Sequence, residues 1–287
     1  DNKTVLETRK VSSGSVLGNL PSTRQYFTKT GGNGTEYTST STITDDALVY
    51  PKLTKFELDS WTTIATNVRN GNTGDYNVGD TKEVNLGTTY GTHTLRIANT
   101  TTPSECSTSG FSQTACGFVL EFADIITTYE MNDTDTNVGG WPASSMYDFV
   151  NYDIYNSLPS DLKSTIIDTT VVSSHGSTNG ENFTSIDKLY LLSLKEVYSD
   201  WSTNSYSSYD SAKDLTRTLD YYINKNVTSS DDSETIKKYK TTDSWWWLRE
   251  AHSNYDHSFF IVPTDDYSYF STYANTSGGV SPAFRIG

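Results

Sequence analysis

Chemistry near neutral pH usually runs through histidine, cysteine or a perturbed carboxylate, and this chain offers four histidines and two cysteines. His252 and His257 stand five apart. That spacing matches no helical metal pair and turns the two side chains to opposite faces of a strand, so both read as surface contact residues. His175, in SSHGSTNGENF, could meet Glu181 or Asp187. No GxSxG nucleophile elbow accompanies it, and hydrolysis is not expected. Asp133 and Asp135 in MNDTDTNVGGW, like Asp265 and Asp266, are loop acids. Alternating Asp and Asn oxygens suit a hard cation, although the missing twelfth-position Glu and the placement of the glycines exclude an EF-hand. A structural calcium is therefore the one ion the sequence admits. No catalytic residue and no cofactor are expected, and the chain is read as no enzyme. Cys106 and Cys116 frame a loop of Ser, Thr and Gly, which suits a disulfide formed in an oxidising compartment. The alternative is two free thiols.

The last stretch carries the rest. Trp245, Trp246, Trp247 and Leu248 form one apolar run of strand type. Val280, Ala283, Phe284 and Ile286 form another, entered through Gly278 and Gly279. Alternation predicts Trp245 and Trp247 buried on one face and Trp246 on the other, and core packing outweighs a sugar-stacking role. Arg249 and Arg285 are expected to pair with a carboxylate such as Glu250 or Asp243, or to brace a loop. Before Ala251 the chain holds 14 Lys, 11 Glu, 6 Trp, 2 Gln and 2 Met, and from Ala251 to Gly287 it holds none of the five. By proportion about five would be expected. Tyr, Ser and Asn, which abound there, are typical paratope residues: Tyr gives stiff contact area, and Ser and Asn give adaptable hydrogen bonds.

Elements must position that tail. Residues 1–55 are polar and broken by glycine, and read as an N-terminal extension or arm. In the domain at 56–287, the spacing of Trp61, Ile64, Ala65 and Val68 predicts a helix stopped by Gly71. Strands are expected at Thr81 to Leu86, His93 to Ala98 and Gly117 to Tyr129. A helix carrying Met146, Phe149, Val150 and Ile154 follows Pro142. LPSDLKSTIID suggests a short helix with Ser160 as N-cap. Strands at Thr169 to Ser174 and Lys188 to Leu194, and a helix at about Ser208 to Asn224, complete the list. This order is α+β. Val280 to Ile286 and Trp245 to Arg249 are expected in one sheet, packed on the Met146–Phe149 helix. The net charge of -14 argues against nucleic acid and against an anionic membrane surface. No apolar run reaches the eighteen or so residues of a bilayer span.

WWWLREA, a variable middle and GVSPAFRIG resemble the end of a C-type-lectin-type fold. VRNGNTGDYNVGDTKEVNLG, GTHTLRIAN, TPSECSTSGFSQTACGFVLEFADIITTYEMN, NVGGWPASSMYDFVNYDIYNSLPSDLK, SSHGS and DKLYLLSLKEVY resemble bacterial surface proteins that share a domain of unknown function. The likeness covers about Trp61 to Gly287. The same tail looks like the variable proteins of diversity-generating retroelements, in which template adenines are mutated. Asn codons so mutated cannot encode Lys, Glu, Gln, Trp or Met. The resemblance implies a C-type-lectin-type fold, similar also to formylglycine-generating enzymes, whose late catalytic cysteines have no counterpart here. The calcium–sugar signals EPN, QPD and WND are absent. It further implies a secreted or cell-surface ligand-binding or adhesion protein displaying a diversified surface at 251–276. The expected contributors are His252, Asn254, Tyr255, Asp256, His257, Tyr267, Tyr269, Phe270, Tyr273 and Asn275. The expected partner is a protein or glycan on another cell or phage, with no nucleic acid and no direct membrane contact. The alternatives are a non-diversified pilus-like subunit binding carbohydrate or protein, and an enzyme of the formylglycine-generating-like fold.

Overall fold

The structure is a computed structural model that describes residues 12–18, 25–46, 48–178, 180–231, 233–264 and 270–287. The chain divides into two compact units, Asp1–Leu58 and Asp59–Gly287. In the first, Tyr26–Lys29 lies between Asn33–Tyr37 and Tyr50–Pro51. Gly31 and Gly32 make the turn with φ of 71° and 74°, a region that glycine enters at no steric cost.

The second unit is α+β. Its first helix, Trp61–Arg69, has the expected inner face of Trp61, Ile64 and Ala65, and Ser60 caps it through the Thr63 N–H. The expected strands before residue 100 form as Thr81–Asn85 and Thr92–Asn99, paired antiparallel. The long strand expected at Gly117 to Tyr129 divides into Val119–Phe122 and Thr127–Glu130. Its partner divides too. Ser277–Val280 pairs with Thr127–Glu130, and Ala283–Arg285 pairs with Val119–Phe122. The result is one antiparallel ribbon that belongs to two sheets.

The tail's last strand is thus not in the sheet of Trp246–Ala251. That strand sits in a five-stranded sheet, between Ser258–Val262 and Ser277–Val280. Ala283–Arg285 closes the other, four-stranded sheet. Chemistry explains the switch. Pro282 has no N–H to give a ladder. The Ser281 hydroxyl instead donates to the carbonyls of Phe122 and Asp124, and Lys237 Nζ donates to the Phe122 carbonyl at 2.7 Å. Met146, Val150 and Ile154 are buried on the helical stretch 145–157, and Phe149 stacks on Tyr129 with centroids 4.1 Å apart.

Two further expectations fail for long-range reasons. Only Asp220–Asn224 is α-helical within the stretch 208–224. Asp210 accepts the Ala212 N–H, the Leu215 carbonyl is taken by the Ser112 N–H, and the Leu219 N–H goes to the Glu196 carbonyl. Local propensity yields to those partners. Residues 189–193 are buried but join no strand beyond a bridge from Tyr190 to Ala283, and Leu194 already opens the helix Leu194–Val197. Asn151 Oδ1 accepts the N–H groups of Lys188 and Leu189, and the Leu192 carbonyl accepts from the Arg249 N–H. The short helix Ser160–Lys163 forms without a side-chain cap.

Candidate functional site

The base of the site is Trp246–Ala251, buried along its whole length. Trp246 and Trp247 are both fully buried, and Trp245 is only half-buried. Strict alternation fails because a central strand is covered on both faces. Each buried indole N–H finds a carbonyl, Trp246 that of Thr235 at 3.1 Å and Trp247 that of Tyr129 at 2.9 Å.

Arg249 is fully buried and forks onto Glu196 with two contacts of 2.7 Å. Its Nε lies 3.2 Å from Glu250 Oε1. The expected contact with Glu250 is thus present, Asp243 pairs with Lys238 instead, and the main partner of Arg249 is Glu196. Glu250 Oε2 also accepts the Ser174 N–H. Burial, then the neighbouring Asp210, pushes the Glu250 carboxyl well above the carboxylate range, and burial pushes Asp210 up as well. One buried cation therefore lies among three buried carboxyls, two of which, Glu250 and Asp210, are pushed towards the protonated form by burial. Arg285 pairs with no carboxylate among the described residues.

Above this base the chain turns through residues 252–257. Asn137, fully buried, directs that turn. Its Nδ2 lies 2.9, 2.8 and 3.0 Å from the carbonyls of His252, Tyr255 and Ser258, which share its two protons. Its own N–H donates to the Asp256 carbonyl at 2.7 Å. A side chain on Gly176 would come within 3.1 Å of Asn137 Oδ1 and of the Ala251 Cβ, and its φ is 65°. Sequence reasoning missed Asn137, whose only signal is a polar loop ending in a glycine pair.

The eight expected contact residues that the structure describes separate into three groups. Asn254, Tyr255, Asp256, Tyr273 and Asn275 are exposed, with Tyr255 at 50% and Tyr273 at 55%. His257 is half-buried and lies 3.0 Å from Asp256. Phe270 is half-buried against Trp201, Tyr198 and Tyr206, which makes it an anchor as much as a contact. His252 is the correction, because it is only 2% exposed. Its ring is sandwiched between Tyr209 and Tyr255, both at 4.7 Å, and tilts onto Phe260. Its Nδ1 accepts the Asn254 N–H at 3.1 Å. Burial, then the nearby His257, lowers it to about 4. Tyr267 and Tyr269, with the loop acids Asp265 and Asp266, lie outside the described residues. The expected surface at 251–276 is also interrupted, since Ser258–Val262 is a fully buried strand.

The rings form one column. Tyr209, His252, Tyr255, His257 and Tyr273 stack in that order, with successive centroids 4.7, 4.7, 5.8 and 4.9 Å apart. Two residues of the column come from outside the turn: Tyr209, far upstream, and Tyr273, on the strand Ser271–Tyr273. A shallow groove lined by Glu105, Lys195, Arg217 and Ile223 shares no residue with it.

The other chemistry-bearing residues lie apart. Cys106 and Cys116 are joined as a disulfide. Asp133 and Asp135 are exposed, and among the described residues no three His, Cys, Asp or Glu side chains gather to hold a metal. His175 donates to the Gly176 carbonyl, while Asp187 is buried and accepts from Trp141 Nε1. No helix of the described residues is long and apolar enough to cross a membrane. Residues 118–287, more than half of the chain, match a family described as a domain of unknown function (DUF6273). No curated protein and no solved structure matches the chain.

Proposed function

The chain belongs to the DUF6273 family, and from that premise we propose that it is a ligand-binding surface protein. It presents a diversified aromatic and polar patch on a C-type-lectin-type scaffold. The observation that carries this reading is the Tyr–His column. Two of its rings, Tyr255 and Tyr273, are half exposed, and Asn254, Asp256 and Asn275 fringe them. The turn beneath is held through backbone carbonyls by Asn137, so outward side chains can change without losing the grip. Large stiff rings beside small polar groups are the composition of paratopes.

The scaffold reading is supported by the ribbon that joins two sheets and by the return of the last strand into the core. Diversification is supported by the change of composition at Ala251, where the fully buried strand gives way to the turn. The disulfide supports a secreted or cell-surface setting. The ligand is a protein or glycan on another cell or phage.

The binding test is a screen of the full chain against glycan arrays and against intact bacterial cells and phage particles. A ligand so found should lose binding to the Tyr255→Ser/Tyr273→Ser/Asn275→Ser variant while that variant melts with wild type. Unchanged binding rejects this surface. Diversification is tested in the neighbouring DNA, where a reverse transcriptase gene and a near-copy of the segment encoding the tail are expected. Their absence rejects that part alone.

A further inference from the structure

A second aromatic surface lies where Thr127–Glu130 pairs with Ser277–Val280, built from residues that the Tyr–His column does not use. Phe149 stacks flat on Tyr129, with centroids 4.1 Å apart and planes 8° apart. Tyr90 meets Phe149 edge to face at 6.5 Å. Directly across the ladder from Tyr129 is Gly278. A side chain there would fall 2.1 Å from the Trp245 ring, so Trp245 fills the place opposite Tyr129 on the same face of the sheet. All four rings are half-buried. Phe149 covers one face of Tyr129, and among the described residues no ring covers the other.

Acids surround this platform. Burial, then the carboxylates of Glu130, Asp133 and Asp153, push the Tyr129 phenol up. Burial, then Asp153 and Tyr129, do the same for Tyr90. Asp153 stands one turn beyond Phe149 on the helical stretch 145–157, and Glu130 follows Tyr129 on its strand. Asp133 and Asp153 are exposed and Glu130 half-buried. Among the described residues no Lys or Arg forms an ion pair with any of the three. In contrast, other rings of this unit already hold cations: Arg96 lies 3.6 Å over Tyr221, and Lys237 lies 4.2 Å over Trp246.

A π-face with a ring of unpaired carboxylates is complementary to a positive charge. We propose that the Trp245–Tyr129–Phe149–Tyr90 platform docks a Lys or Arg side chain from a basic segment of a protein partner. The Tyr129 ring supplies the π-face, and Asp153, Glu130 and Asp133 supply the counter-charge. A neutral sugar would use the rings but would gain nothing from the net negative charge. This site is independent of the Tyr–His column and would survive the failure of that reading.

The probe is a tetralysine peptide titrated into the full chain and followed by calorimetry at two salt concentrations. Saturable binding that weakens with salt is expected. Asp153→Asn and Tyr129→Leu should each weaken it about tenfold, while Tyr255→Ser/Tyr273→Ser leaves it unchanged. Asp153 is exposed, so its variant keeps the test valid should Tyr129→Leu fail to fold. Absence of saturable binding overturns the proposal. So does an equal loss with the control Asp214→Asn, which would mean that the peptide follows only net charge. Saturable binding of a neutral oligosaccharide that Tyr129→Leu abolishes, with no tetralysine binding, would also overturn it.

Discussion

The strand Trp246–Ala251 and the turn at 252–257 are adjacent in sequence and opposite in character. On the strand, side chains do the holding: two indoles reach carbonyls, and Arg249 forks onto Glu196. On the turn, Asn137 grips the backbone carbonyls, and of the side chains only His252 is packed away, with its Nδ1 on the Asn254 N–H. A segment fixed through its carbonyls keeps its shape whatever residues it carries. A segment fixed through its side chains does not. This contrast separates the base from the turn above it more sharply than exposure does, since His252 belongs to the turn and is nonetheless buried.

The contrast breaks most visibly at Arg249. Arg249→Met should leave Glu196 buried and without its cation, at a cost of about 3–5 kcal/mol. Denaturant melts should show this as a fall in midpoint with little change in slope. Wild-type stability would mean that the strand is not held by its side chains.

Acidity should pull the two regions in opposite directions. His252, lowered to about 4 from an ordinary 6.5, binds its proton more readily unfolded than folded. Its contribution is present above 6.5 and is lost as pH falls towards 4, amounting to at most about 3 kcal/mol. Glu250 is raised by burial and Asp210, so its contribution is present below the ordinary carboxylate range. It is lost as pH rises towards the folded value. The wild-type melting temperature should therefore peak at mildly acidic pH. His252→Phe should flatten the acid limb alone, and Glu250→Gln the alkaline limb alone. A single variant that flattens both limbs would show that the two regions titrate as one unit.

Asn137→Ala sharpens the comparison at a smaller scale. It strips three carbonyls of their donor and should cost about 1–3 kcal/mol. Hydrogen exchange should rise at the turn amides of Asn254 and Ser258 before it rises on the strand. Uniform loosening would mean that Asn137 supports the whole sheet rather than the turn.

What could be read in the sequence was what neighbours in sequence decide. The helix Trp61–Arg69 carries its own cap, spacing and stop. The hairpin Thr81–Asn85 with Thr92–Asn99 and the Cys106–Cys116 pair are similarly local. The larger failures lie with partners far along the chain. The ribbon breaks at Ala123–Ile126 because Ser281 and Pro282 stand opposite. The stretch 210–219 is not helical because Ser112 and Glu196 claim its backbone. In the candidate site, the tyrosines at 255 and 273 could be picked out as outward contacts by composition. The burial of His252 could not, because Tyr209 supplies one of its walls. Nor could Asn137, whose value lies in three carbonyls more than a hundred residues away.

The smallest expected effect is the most informative. Tyr255→Ser, Tyr273→Ser and Asn275→Ser combined remove the two exposed rings of the column and one exposed amide. Each site is exposed, and such changes usually cost under about 0.5 kcal/mol. Stacking adds a little, because Tyr255 lies between His252 and His257, while the Asn137 bonds to the turn remain. The melting temperature should stay within a few degrees of wild type. His252 should be the one group to respond, since losing Tyr255 opens one face of its ring to water. Its lowered pKa should then move back towards the ordinary value, which proton NMR of the imidazole would follow. A large loss of stability with the imidazole unmoved would mean that Tyr255 and Tyr273 belong to the base. The turn would then be held as the strand is, through its side chains, and it could not tolerate a changing surface.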